Sequence, residues 1–234
     1  MPKSNAELIS FYKDKHELEP VLFSEKKNGK DEVSIDGIVV PLKLDLRQYC
    51  TPTDDQGETS HCAAYSAVQI IEAKYWKETG KILQLDGAHV YAKAKEIDGC
   101  REVNGTYPEI TLKCALNLSR KFFDSDKYEV KKFYNDRTQK TVDALKHLIH
   151  KNGFLAGGFR ITDKWFGLKR GDSLLETCNG REQGGHCVTV VGYLKEGLIV
   201  QNSWGRTWGA MGFGRIAWDV VLNQLMYVAY LERK

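Results

Sequence analysis

Asp55-Gln56-Gly57-Glu58-Thr59-Ser60-His61-Cys62-Ala63-Ala64-Tyr65-Ser66-Ala67 sets a thiol at the mouth of an apolar helix. From Cys62 to Lys77 the chain is apolar on nearly every side, through Ala63, Ala64, Tyr65, Ala67, Val68, Ile70, Ile71, Ala73, Tyr75 and Trp76. A helix of that kind belongs in a core, and Gly80 supplies its stop signal. Two later segments carry groups that a thiol can use. Gly184-Gly185-His186-Cys187-Val188-Thr189-Val190-Val191-Gly192-Tyr193 opens a strand with an imidazole. Gln201-Asn202-Ser203-Trp204-Gly205-Arg206-Thr207-Trp208-Gly209 sets an amide in a turn flanked by indoles.

Outward from these segments the chain divides by character. Helical patterns recur at 87–97, at 108–121 with Pro108 suited to a first turn, and at 138–151, where Gly153 follows as a C-terminal signal. After Gly153 strand-like runs take over, at 154–161, 186–194, 198–200, 212–218 and 226–231. Helices first and strands second mean an α+β fold of two lobes with a cleft between them. The expected division is an N-terminal extension over 1–35 and one domain over 36–234. Its helical lobe covers about 51–152, and its β lobe covers about 153–234 plus 36–50. In the extension Leu8, Ile9, Phe11, Tyr12 and Leu18 form a short amphipathic pattern, followed by a polar stretch at 24–32.

Composition narrows the function classes. With 234 residues, 42% hydrophobic and 28% charged, the chain can bury a real core and lies far from disordered compositions. A net charge of +3 is too small to argue for nucleic acid, and the short clusters Lys26-Lys27 and Lys131-Lys132 read as solvated surface. No apolar run approaches the roughly 18 residues of a membrane span, and the first twenty residues show no Sec signal. The expectation is a monomer in a cytosol, or one exported by another route. The six cysteines contain no C-x-x-C pair, so no structural zinc, other metal or cofactor is expected. Apart from Cys62 they read as small buried hydrophobes.

Taken singly, Cys62 reads as a structural thiol, His186 as a core histidine and Gln56 as a surface amide. Taken together, in the order Gln56, Cys62, His186, Asn202, they resemble the papain-like cysteine peptidases. The histidine lies 124 and the asparagine 140 positions after the cysteine, against roughly 130–150 for that family. The run from Val39 to Arg47 is similar to the family's mature start, with Leu46 in place of a Trp. The resemblance implies a helical lobe facing a β-barrel-like antiparallel lobe, a polypeptide substrate, and a thioester acyl-enzyme formed on Cys62.

In that reading the helix start and a neighbouring imidazolium lower the thiol pKa. Asn202 orients His186, Gln56 donates to the oxyanion, Trp204 shields the His186–Asn202 pair, and Trp208 braces the turn. Asn104-Gly105-Thr106-Tyr107-Pro108 resembles an Asn-Gly-Gly-Tyr-Pro stretch whose backbone pairs with substrate, so Gly105 and Thr106, together with Gly185 and Trp204, are candidate substrate-binding residues. Gly185 leaves room in the adjacent pocket, which Phe166, Tyr107 or Ala156 could shape. His61 points away from its neighbour Cys62 and is rejected as the base. His16, His89, His147 and His150 lie outside any motif and read as solvated or packed.

The departures are specific. Thr59-Ser60-His61-Cys62-Ala63 stands where the family has Cys-Gly-Ser-Cys-Trp. Thr59 removes a disulfide position, which favours a reducing compartment. Ala63 removes a large side chain, and Thr106 replaces the second glycine of the binding stretch. The 1–35 segment is shorter than the family's inhibitory prosegments and is expected to pack away from Cys62. The same triad could instead serve a deamidase, an acyltransferase or an isopeptidase, because fold and triad do not separate these. The alternative from another class is a catalytically silent binding module.

Overall fold

The structure is a computed structural model that describes residues 32–35, 38–100, 102–168 and 174–234. The expectations for Leu8, Ile9, Phe11 and Tyr12, and for His16, lie outside those residues. A hairpin of β1 (Glu32–Ile35) and β2 (Ile38–Pro41) precedes β3 (Leu44–Asp45). Three helices follow, α1 (Cys62–Thr79), α2 (Gly87–Ile97) and α3 (Pro108–Leu118), then β4 (Tyr128–Tyr134) and α4 (Gln139–Asn152). The remainder is β5 (Leu155–Thr162), β6 (Leu174–Leu175), β7 (Glu182–Tyr193), β8 (Gly197–Gln201), β9 (Phe213–Ala217), α5 (Trp218–Gln224) and β10 (Leu225–Arg233).

α1 is the central rod. It packs against α2 and α3 on one side and against β7 and β5 on the other, which is why its sequence is apolar all round. Gly80 ends it in the left-handed region at φ 67°, its N–H donating to the Trp76 carbonyl. Ser66, Gln69, Glu72 and Lys74, polar residues within this rod, are buried as well, and only its last turn carries exposed polar residues, Lys77, Glu78 and Thr79. Thr189 Oγ1 lies 2.9 Å from Ser66 Oγ and 2.8 Å from Gln69 Oε1. Glu72 accepts from Thr51 Oγ1 at 2.6 Å and from the Leu85 N–H at 2.7 Å, and Lys74 donates to the Asn152 carbonyl at 3.1 Å. Every one of these bonds leaves the helix for another part of the chain, so the polar residues tie it in where apolar contact alone would let it slide.

The sheet runs β4-β10-β5-β7-β8-β9-β6, with β3 paired to β7. All its pairs are antiparallel except β6 with β9. It is open, which corrects the barrel-like expectation. Closure requires the two end strands to pair, and here one end is the two-residue β6 while β4 at the other end lies against α3. β4 falls within the range read as helical, yet it forms seven paired positions with β10. α4 packs on β10 and β7, on the sheet side of the molecule. α3 stops at Leu118, short of the expected 121, where Ser119 Oγ donates back to the Leu116 carbonyl. Among the described residues no helix is long and apolar enough to cross a membrane.

Candidate active site

Cys62 is the first residue of α1 and lines a cleft of about 410 Å³. Burial pushes its thiol up, while the backbone N–H groups of Cys187, Ala63 and Cys62 itself act in the other direction by favouring the thiolate. His186 lines the same cleft. It is the fifth residue of β7, which begins at Glu182, four residues earlier than the sequence pattern implied. Burial lowers its imidazole to about 4, and the bond to Asn202 works against that drop.

The orientation of His186 is fixed from the far side. Its Nε2 lies 2.8 Å from Asn202 Oδ1, and that same atom accepts the Ser203 N–H at 2.8 Å. The Ser203 N–H can only donate, so that atom is the amide oxygen; an oxygen can only accept, so Nε2 carries the proton and Nδ1 is the nitrogen left for chemistry. Asn202 is itself held by its own N–H, which donates to the Gly212 carbonyl at 2.9 Å, and by Gln69 Nε2, which donates to its carbonyl at 3.2 Å. Sequence reading passed over Gln69, because a polar residue in an apolar helix carries no motif. Trp204 stacks on the imidazole at 4.4 Å, Phe166 stacks on Trp204 at 5.0 Å, and Trp208 meets Trp204 edge-on at 5.9 Å. Such a cover excludes water from the His186–Asn202 bond and strengthens it.

The loop bearing Gln56 is fastened to the Asn202 turn. The Gln56 N–H donates to the Ser203 carbonyl at 2.8 Å, Ser203 Oγ donates to Gln56 Oε1 at 2.6 Å, and the Gly205 N–H donates to the Asp54 carbonyl at 3.0 Å. Gly205 is required here: it sits at φ 71°, and a Cβ would come within 2.9 Å of Asp55 Oδ2. Gln56 Nε2 donates one hydrogen to the Thr59 carbonyl at 2.5 Å, which leaves its second hydrogen for another acceptor. If that hydrogen serves an oxyanion formed at Cys62, Gln56→Ala should lower kcat on the order of a hundred- to a thousandfold. Little change in KM is expected, and steady-state kinetics on a cleaved peptide would show it; a loss below tenfold would remove Gln56 from the oxyanion role.

Gly105, Thr106 and Gly185 line the cleft with Cys62 and His186, while Trp204 lies in a second, shallower groove with Asp55, Gly57 and Phe166. Of the residues considered for the pocket beside Gly185, Tyr107 lines it; Phe166 belongs to the second groove, and Ala156 is fully buried in the core. Met226 and Tyr227, from the irregular start of β10, complete the wall. No sequence motif marks them, because a bulge rather than a residue type brings them there. Ala63 joins the cleft lining, so the volume a large side chain would take stays open. His61 stacks on Tyr91 at 3.9 Å. All six cysteines are free; Cys50, Cys114 and Cys187 are buried as expected, whereas Cys100 and Cys178 are partly exposed.

Comparison with known proteins fits this arrangement. The family model described as papain family cysteine protease matches residues 86–228, a span that holds His186 and Asn202 and begins after Cys62. Cysteine proteinase 3 of Entamoeba histolytica is 28% identical over 199 residues, covering 76% of this chain and 63% of that protein. Papain of Carica papaya is 28% identical over 204 residues, covering 80% of this chain and 58% of papain. The chain thus spans about three fifths of the length of these relatives. A cysteine protease of Carica candamarcensis superposes with a TM-score of 0.61 at 19% identity, over 83% of this chain and 100% of that one. The architecture is therefore the papain-like fold, and since the family match takes in more than half of the residues, the chain belongs to the papain family of cysteine proteases.

Proposed function

We propose that this chain hydrolyses peptide bonds through a thioester on Cys62. The observation that carries the reading is the 2.8 Å bond from His186 Nε2 to Asn202 Oδ1, which leaves Nδ1 for a cleft that Cys62 also lines. A proton moved from Cys62 Sγ to Nδ1 creates a thiolate and an imidazolium together, so the attraction between them opposes the burial that acts on each alone. The thiolate attacks the scissile carbonyl carbon, and the oxyanion accepts hydrogens from Gln56 Nε2 and the Cys62 backbone N–H. His186 gives its Nδ1 proton to the departing amine as the C–N bond breaks. It then takes a proton from water, whose oxygen attacks the thioester and releases the new carboxylate and the thiol.

The substrate is a polypeptide in extended form, laid along the wall at Thr106. Incubation with a peptide library and mass-spectrometric readout of the products tests this. Cleaved peptides with new free amino termini are expected. Intact backbones with amide side chains converted to acids, or with an added amine, would replace this reading by deamidation or transfer.

A further inference from the structure

Between Ile97, the end of α2, and Pro108, the start of α3, the described residues belong to neither helix nor strand. Their backbone carbonyls turn to other donors. The Cys100 carbonyl takes the Val103 N–H at 3.0 Å, and one side chain serves three of these carbonyls. Lys95, in the last turn of α2, donates from Nζ to the carbonyls of Cys100 at 2.6 Å, Val103 at 2.9 Å and Gly105 at 3.2 Å. Its fourth neighbour is Asp98 Oδ2 at 2.8 Å, on a carboxylate whose side chain is wholly buried. Asp98 Oδ1 in turn accepts the Cys100 N–H at 2.8 Å. An ammonium has three hydrogens and no preferred plane, so it can serve three carbonyls converging on one point while the carboxylate balances its charge.

Cys100, Val103, Gly105 and Thr106 are also lining residues of the Cys62 cleft. The Gly105 N–H donates to Tyr91 Oη at 3.2 Å, and the Tyr91 ring stacks on His61, the residue before Cys62. Both backbone groups of Gly105 are thus bonded within the protein, while Thr106, the position next to it, lines the cleft.

We infer that Lys95 is the positioning residue of the substrate-binding wall, holding Thr106 at a set distance from Cys62 by cross-linking three carbonyls of the wall to the end of α2. The inference rests on the peptidase reading above for its kinetic consequence, but not for its structural one. Lys95 touches no reacting atom. Its loss should therefore be felt by an extended peptide and not by a small reagent that needs only the thiol.

The test is Lys95→Met, which keeps the apolar stem and removes the charge. It is paired with a Lys95→Met/Asp98→Asn double variant, so that no buried carboxylate is left unpaired if the single variant folds poorly. For a peptide that the wild type cleaves, kcat/KM should fall on the order of a hundredfold, mainly through KM. Alkylation of Cys62 by iodoacetamide should keep its wild-type rate. Lys95→Arg retains the charge opposite Asp98, but its planar fork cannot serve the three carbonyls, so it should remain impaired; full recovery would reduce Lys95 to an ion-pair role and overturn the inference. Unchanged peptide kinetics, or an equal loss of alkylation and hydrolysis, would also overturn it. Should the wild type cleave no peptide, the peptidase reading fails by itself, and amide hydrogen exchange at Gly105 still decides: faster exchange in the double variant supports the inference and an unchanged rate sinks it.

Discussion

Cys62→Ala is expected to bring peptide hydrolysis down to background while the protein keeps its fold. Removing the nucleophile of a unit that acts together costs on the order of a million-fold in kcat. The packing cost is small, because Cys62 is only partly buried and its neighbours Ala63, Ala64 and Ala67 hold α1 in place. Hydrolysis assays beside a thermal melt check both halves. Turnover near the wild-type rate would mean that another residue attacks.

His186→Ala should cost activity on the same order of a million-fold, and it should also change how Cys62 titrates. In the wild type, burial alone would keep both partners neutral, with the thiol raised and the imidazole lowered to about 4. Their mutual attraction, the helix start and the three backbone N–H groups at the sulfur work in the opposite direction. Iodoacetamide should therefore react with wild-type Cys62 already at mildly acid pH, and reactivity should fall as pH drops through the pKa at which the ion pair takes up its proton. In His186→Ala the burial acts without the imidazolium to oppose it, so reactivity should appear only as pH approaches or passes the ordinary thiol value of 9.0. A single wild-type transition at that ordinary value would rule out the pre-formed thiolate.

What could be read from the chain alone followed the chemistry of single positions. Cys62, His186 and Asn202 sit in short segments whose residue types are dictated by local geometry, and the strand and helix patterns around them are long and periodic. β4 was hidden because Lys131 and Lys132 stand side by side in Tyr128–Tyr134, which suits an edge strand but breaks the apolar alternation begun by Tyr128 and Val130. The openness of the sheet depends on whether its end strands meet, a property of the whole topology that no segment encodes. Gln69 and Lys95 escaped notice for a shared reason: their partners include backbone carbonyls, and a carbonyl leaves no trace in a sequence of side chains.

The buried polar contacts of α1 also bear on how the molecule comes apart. Through Glu72 the rod is joined to Thr51 and Leu85, through Lys74 to the end of α4, through Ser66 and Gln69 to β7, and through Gln69 to the turn at Asn202. Opening the cleft by unfolding either side alone would strand several of these groups without partners in a region that water does not reach, at roughly 1–3 kcal/mol apiece. Partial unfolding is therefore disfavoured relative to complete unfolding, and the two sides form one cooperative unit. Native-state hydrogen exchange should find the α1 amides opening only with the whole protein, and on heating, the capacity of Cys62 to react should vanish in the same transition as the tertiary structure.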